Sequence, residues 1–582
     1  GIVITGSNNV ISNNIIKDSG DSGIVITGSN NVLSNNIIKD GDDGIFLTGD
    51  NNIVSNNTIK DNANYGVYIM PSSSNSVIKH NNITGNGDYG IYLLLQGSFS
   101  SVDARYNWWG DASGPGGVGP GSGDSINNAT LIDYSPWLGK TGASSPMTFY
   151  TDDVIQDAID NATAGDTIRV IDGTYEEDIS IGNSLTLIGN GTSSIINGTG
   201  GGGNVISIGD GVYLSGFRVI AYEDGYGISL GGSNSTINDC VVGGTGNDAN
   251  DDAGIYVSGS NNTVSNNTIE YNEDYGLLVP GSNNLIINND VHCCVSLLIS
   301  VSGNNNQITN NTASAGNEGN LKITGSNNVI TGNTLKQSNA FGLQISGSNN
   351  TATGNLIQGN FWGIRDTDFD GSHTIVNNTF SGNSIGDIKL WGDYIGHHNI
   401  FGSGSNFVFQ EQCSCKIKDV TSSNISIKIN SESDYHKNIL LENNTIGSLT
   451  LSGSQGGTNI TLIGTANSIS VGSNFELTVK NYLTVQVKLS SDLVNGSDIQ
   501  IKDNSDVLYA TSYYNGSDAK TVNGTIRMLL VTDRIYNGSS TATENTTELK
   551  VKYGNYSQTI NVSMSTSHTE VVQLNILPIS NI

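Results

Sequence analysis

The stretch Gly1-Ile2-Val3-Ile4-Thr5-Gly6-Ser7-Asn8-Asn9-Val10-Ile11-Ser12-Asn13-Asn14-Ile15-Ile16 opens the chain. It returns almost unchanged as Gly23–Ile38, Gly44–Ile59 and Gly254–Ile269, with partial copies near Gly325, Gly347 and Gly371. The period of about 22 residues falls in the range of solenoids. Within each copy the apolar residues alternate, as in Ile2 with Ile4 and Val67 with Ile69, and clusters of Gly, Asp, Ser and Asn supply bends between them. Short strands separated by corners at constant spacing describe a chain wound into a parallel β-helix.

Aligning the copies stacks like residues. One inward row reads Ile16, Ile38, Ile59 and another Ile4, Ile26, Leu47, Ile69. A third row is asparagine: Asn14, Asn36, Asn57 and later Asn267, Asn289, Asn311. Neighbouring coils lie about 4.8 Å apart, so identical amides can bond their copies above and below as a ladder. Unpaired, each inward amide would cost roughly 1–3 kcal/mol. The alternative is that these are corner residues chosen for their tolerance of left-handed backbone. Their constant spacing to the flanking apolar positions favours the ladder.

The chain has 582 residues, 24 of them basic and 53 acidic, for a net charge of −29. That balance excludes a nucleic-acid binder, which needs clustered Lys and Arg, and suits salty surroundings or divalent cations. No apolar run is long enough for a transmembrane helix. Gly1 starts in mid-coil with neither Met nor signal peptide, so an upstream part bearing a secretion signal is expected. Of five cysteines, Cys293 and Cys294 are adjacent, Cys413 and Cys415 are close, and Cys240 stands alone. His292-Cys293-Cys294 matches no zinc spacing, and core or disulfide cysteines are expected.

Asn-x-Ser/Thr acceptors are dense. Asn56, Asn266, Asn310 and Asn377 each precede an inward position and so face solvent. Asn495, Asn515, Asn523, Asn537, Asn545, Asn555 and Asn561 crowd the C-terminal region, which lacks the repeat. N-linked glycans and an extracellular, cell-surface location are expected.

The expected architecture is all-β: two right-handed parallel β-helix solenoids in tandem, then an immunoglobulin-like β-sandwich. Residues 1–138 form the first solenoid, N-terminally incomplete and plugged by Trp108-Trp109, and 139–147 form a linker. Residues 148–415 form the second, opening on a capping helix over Val154–Asn161, with acidic residues near its start. Residues 416–475 are an irregular β region of further coils, and 476–582 carry longer alternating strands that suggest the sandwich.

The Ser-Asn-Asn-x-Ile-x-Asn-Asn-x-Ile coils resemble NosD-type repeats of the carbohydrate-binding and sugar-hydrolase β-helix superfamily. The segment Val154–Asn161 with Gly165-Asp166-Thr167, Gly173-Thr174-Tyr175 and Ser184–Gly189 resembles the start of such domains. With Asn107-Trp108-Trp109-Gly110 and a sequon-rich end, the chain is similar to archaeal surface proteins: surface-layer glycoproteins, hamus-filament proteins and adhesin-like proteins. The resemblance implies a structural building block of a surface layer or filament, with other copies of the chain as partners.

An enzyme on this fold needs paired carboxylates, or a basic residue beside calcium, projecting from one face. The solenoids hold only Arg105, Arg169, Arg218 and Arg365, so no catalytic residue is assigned and the chain is expected not to be an enzyme. Asp366-x-Asp368-x-Asp370-Gly371 resembles the first half of a calcium loop, although Asn377 stands where the bidentate Glu belongs. Calcium is the one cofactor considered; Asp248, Asp251 and Asp252 make a weaker acidic loop. Two rivals to the building block stay open: a glycan-binding adhesin, hinted at by Tyr222, Tyr226, Tyr271 and Tyr275, and a carbohydrate-active enzyme.

Overall fold

A computed structural model describes residues 1–575 apart from 97–100, 142–146, 201, 222–224, 245–252, 293–295, 368–371, 391–393, 398, 402–404, 410–413, 430–437, 454–456, 505 and 540. The described residues form a right-handed parallel β-helix of about 19 turns with almost no helix. They fall into two compact units, Gly1–Leu278 and Val279–Ile582.

In the first coils of the N-terminal unit each turn holds three strands, for example Ile24–Ile26, Val32–Ser34 and Ile37–Lys39. Each pairs in parallel with its copy one turn on: Ile24 with Ile45, Val32 with Ile53, Ile37 with Thr58. Corners between them are left-handed residues. Asn30, Asn35 and Asp40 have φ of 57°, 56° and 56°, and Asn51, Asn56 and Asp61 repeat the set. Asn and Asp tolerate this conformation better than other side chains because their short polar groups bond locally.

Both properties of asparagine are used, by different members of each pair. Asn35 and Asn56 make exposed corners, while Asn36 and Asn57 point inward. The Asn36 Nδ2 donates to Asn57 Oδ1 at 3.0 Å, Asn57 Nδ2 to Asn81 Oδ1 at 3.0 Å, and Asn81 Nδ2 to Asn107 Oδ1 at 3.1 Å. Asn14, in the first coil, donates to Asn36 at 3.0 Å. A second ladder runs through Asn9, Asn31 and Asn52 at 2.9 and 3.2 Å. In the C-terminal unit Asn289, Asn311, Asn333 and Asn355 repeat the first ladder at 3.0 Å per step. Between the rows, Ile26, Ile38, Leu47, Ile59 and Ile69 are fully buried, each contributing roughly 1.5–3 kcal/mol.

Where the first coils end, Trp109 and Trp137 are fully buried. Trp137 and Leu138 pair antiparallel with Tyr150 and Phe149, and the Trp137 ring stacks on Tyr150 at 6.1 Å and 12°. Helix α1 (Ile155–Asn161) buries Ile155, Ala158 and Ile159. Glu177 caps it from outside, its carboxylate accepting from the N–H groups of Ile155 and Gln156 at 2.8 and 3.0 Å, which answers two donors that a helix start leaves open.

In the C-terminal unit the strands lengthen to nine residues at Thr421–Ile429 and Thr445–Gly453, and pairing stays parallel, as in Cys415 with Ile439 and Ile439 with Ile460. The 15-residue strand Phe475–Leu489 then pairs antiparallel with Thr525–Asn537 and parallel with His568–Leu574. A second sheet joins Asp506–Ala510, Asp498–Asp503, Thr547–Tyr553 and Tyr556–Val562. One core that includes Leu483, Val485, Val487, Ile499, Ile501, Leu549 and Val551 lies between the two sheets.

Candidate functional site

In the strand that follows each corner glycine, the first and third apolar residues face inward and the one between faces out. Register therefore lines up Val3, Val25, Phe46, Tyr68 and Tyr92 on one outer face. The residue before each glycine forms a neighbouring row, with Tyr65 paired to Tyr89. The rings interlock: Phe46–Tyr68 centroids are 5.3 Å apart, Tyr68–Tyr92 5.5 Å, Tyr65–Tyr68 5.2 Å and Tyr65–Tyr92 4.7 Å, the last three near parallel. All four tyrosines are half-buried, so each presents part of an apolar ring and a phenolic hydroxyl. Loss of hydration, then the neighbouring Tyr92, pushes the Tyr65 and Tyr68 hydroxyls up from their ordinary value. They remain protonated donors.

At the corner beside this array, Asp43 accepts from the Tyr65 N–H at 3.3 Å. Burial raises its carboxyl above the ordinary range, an effect its hydrogen bonds oppose and neighbouring Asp21 and Asp42 reinforce. The arrangement thus offers aromatic surface, phenolic hydroxyls and one carboxyl that holds its proton more tightly than usual.

The sequence reading did not find this array, because Phe46, Tyr68 and Tyr92 are 22 and 24 positions apart and only register joins them. Aligning the repeats on their corner glycine puts all three in one outward slot, and that was the available signal. Of the tyrosines singled out instead, Tyr226 stacks on Tyr256 at 4.3 Å and 8°. Tyr271 is 65% exposed at a left-handed corner and Tyr275 is half-buried. Tyr222 lies outside the described residues.

Asp366 ends the strand Trp362–Asp366 and is buried, its Oδ1 3.8 Å from His373 Nε2, also buried. Asp368, Asp370, Asp248, Asp251 and Asp252 lie outside the described residues, among which no group of three His, Cys, Asp or Glu side chains is placed to hold a metal. Cys240 and Cys415 are buried; Cys293, Cys294 and Cys413 are outside the described set. Burial pushes the Cys240 thiol up to about 12. Its N–H donates to Asn267 Oδ1 at 2.9 Å, so this cysteine stands in a ladder position. Asn267, Asn289 and Asn311 are all buried. Of the sequon asparagines, Asn56, Asn266, Asn310, Asn377, Asn495, Asn515, Asn523, Asn537, Asn555 and Asn561 are exposed. Asn545 is half-buried and bonds Asp503 and the Thr532 carbonyl.

A second polar cluster ties the first coils to helix α1. Arg105 reaches Asp103 at 3.0 Å, Asp133 at 3.4 Å and Asp157 of α1 at 3.2 Å, and Lys79 reaches Asp103 at 2.6 Å. Burial raises the Asp133 carboxyl to about 6 despite Arg105. With every cation already engaged, this cluster is a clamp.

A right-handed β-helix region model matches residues 1–118 and 253–401. Together with the coils, this makes the chain a parallel β-helix protein. No curated relative matches it in sequence. Among solved structures it is similar to the A-module of mannuronan C-5 epimerase AlgE4 from Azotobacter vinelandii (17% identity, 53% of this chain and 94% of that one, TM-score 0.35). A mannuronic acid specific polysaccharide family 6 lyase from human gut microbiota is similar at 13% identity, over 52% and 84%, with a TM-score of 0.34. Tailspike protein 2 of the Escherichia coli O157:H7 bacteriophage CAB120 is similar at 14%, over 78% and 69%, with a TM-score of 0.29.

They do correct one expectation. The sequence reading placed the chain outside the enzymes, yet the structures it is similar to include an epimerase and a lyase that act on polysaccharide. The exclusion rested on scarce arginine and on solenoid faces read as mostly Ser, Thr, Asn and Gly. No helix among the described residues is long and apolar enough to cross a membrane.

Proposed function

We propose that this β-helix protein is carbohydrate-active and engages a polysaccharide along the outer face that carries Tyr65, Tyr68, Tyr89 and Tyr92. The observation that carries the reading is the ring array itself: four half-buried tyrosines and Phe46, in register across three strands, on an outer face of the coil. Sugar rings alternate apolar C–H surface with hydroxyls, and tyrosine offers matching apolar and hydrogen-bonding groups. Asp43, whose carboxyl burial raises above its ordinary value, stands at the edge as the group assigned to donate to a glycosidic oxygen.

The building-block reading rests on coil regularity, which every β-helix shares, so it does not compete at the level of particular residues. The exposed sequon asparagines support an extracellular, glycosylated setting as part of the same proposal.

The test is affinity electrophoresis of the full chain in gels cast with neutral polysaccharides, alongside assay of released products. Tyr68→Ala with Tyr92→Ala is expected to weaken retention about tenfold, a loss of about 1.4 kcal/mol. Asp43→Asn is expected to keep retention and lose product release. Retention unchanged in the tyrosine variant overturns the site.

A further inference from the structure

In the C-terminal unit the same outward slot carries different chemistry. Register pairs Ser300 with Lys322, Lys322 with Gln344, Gln344 with Arg365, Arg365 with Lys389, and Lys389 with Val408. Three of the four Lys and Arg residues between positions 279 and 401 thus stand in one row, Lys336 being the fourth. Lys322 and Arg365 are two coil rises apart, about 9.6 Å, and Lys389 follows one rise later at about 4.8 Å. In a chain of net charge −29 this concentration of cations runs against the overall composition.

Two of these cations are not spent on described neighbours. Arg365 and Lys322 make no ion pair among the described residues, and the Arg365 Nε is buried without a hydrogen-bond partner there. A guanidinium N–H left this way costs free energy unless a ligand meets it. Lys389 lies 5.6 Å from the ring centroid of half-buried Trp362, which pairs with Phe341 in the adjacent row. Burial, then nearby Arg365, lowers the Lys389 ammonium from its ordinary value, so an anion between the two would relieve it. Among the described residues, Asp366 and Asp387 on these strands are buried, and Glu318 sits at a corner before the row.

We infer that the row Lys322–Gln344–Arg365–Lys389 binds a polyanionic polysaccharide, laid along the coil axis with its acidic groups on the cations and a sugar ring against Trp362. The row is straight and crosses successive strands, which fits an extended polymer better than a single small anion. One coil rise also matches the advance per residue of a linear sugar chain. This site is independent of the tyrosine face, and either can fail alone.

The experiment is affinity electrophoresis of the full chain against polygalacturonate, dextran sulfate and uncharged dextran. Retention by polygalacturonate or dextran sulfate but not through this face by dextran is the expected result, and the stronger of the two shows whether carboxylate or sulfate is preferred. Arg365→Gln and Lys322→Gln should each weaken polyanion retention about fivefold. Lys336→Gln, on another face, and Tyr68→Ala should leave it unchanged, which separates this site from the tyrosine face. Thermal unfolding of each variant confirms that the coil is intact. The inference is overturned if neither polyanion is retained at low salt, if Lys336→Gln matches Lys322→Gln, or if single-stranded nucleic acid is retained more strongly than both polysaccharides.

Discussion

Tyr68 and Arg365 occupy corresponding outward slots of their coils, one in each unit, and share almost nothing else. Around Tyr68 the outward row is Val25, Phe46, Tyr68, Tyr92, with Asp43 at the corner. Around Arg365 it is Lys322, Gln344, Arg365, Lys389, with Trp362 beside it. The inward slots on either side scarcely differ: Ile45, Val67 and Ile91 in one unit, Leu321, Leu343 and Ile364 in the other, all fully buried. Close packing punishes change inside the coil, while the outer row packs only on its own neighbours along the face and stays partly open to solvent. Its composition therefore reports what the surface meets.

The strongest way to break this comparison is through the part that should be common. Asn57→Ala removes bonds from its Nδ2 to the Leu33 carbonyl and Asn81, and strips the acceptor from the Asn36 N–H. Asn311→Ala does the same to the Ile286 carbonyl, Asn333 and the Asn289 N–H. Each should cost about 3 kcal/mol in urea unfolding. A large loss in one and none in the other would show that the two interiors are not equivalent.

Smaller effects should divide the outer faces. Tyr68→Ala with Tyr92→Ala should cost under about 1.5 kcal/mol of stability, while Arg365→Gln leaves neutral-glycan retention unchanged; reciprocal losses would merge the two sites. A pH effect is expected at Asp133 in the N-terminal unit. Asp133 titrates near 6 folded against an ordinary 3.8, so the folded state holds this proton more tightly. Its ionisation weakens the fold as pH rises through 6, and acidifying from about 7 to 5 returns on the order of 1 kcal/mol, a figure reduced for solvent screening. His80, whose imidazole burial pushes down, works in the opposite direction as it is acidified. The difference between the parent and Asp133→Asn isolates the carboxyl, and equal pH slopes in the two would remove it from the account. The least effect is expected from salt: raising it to about 0.5 M should change neutral-glycan retention less than about twofold, because no full charge pair is involved. A steep salt dependence there would make the tyrosine face electrostatic after all.

Much of the coil was legible because its instructions are local and repeated. Ile24 and Ile26 alternate with Val25 within three residues, and Asn30, Asn35 and Asp40 announce corners that need left-handed backbone. The asparagine at position 9 shows where such reading stops. It belongs to a second ladder with Asn31 and Asn52, yet next to Asn8 it reads equally well as a corner. Arg105 shows another limit, since its partner Asp157 is 52 positions away on a helix.

A repeated two-residue alternation with periodic bends is enough to specify a parallel coil, because every turn carries its own copy of the pattern. Which outward side chains become neighbours depends instead on the register between turns, and turns differ in length by a few residues. Tyr65 meets Tyr68 and Tyr92, and Arg365 meets Lys389, only after the inward isoleucines and asparagines have locked that register. The interior is a property of each repeat; the two outer faces are properties of the stack.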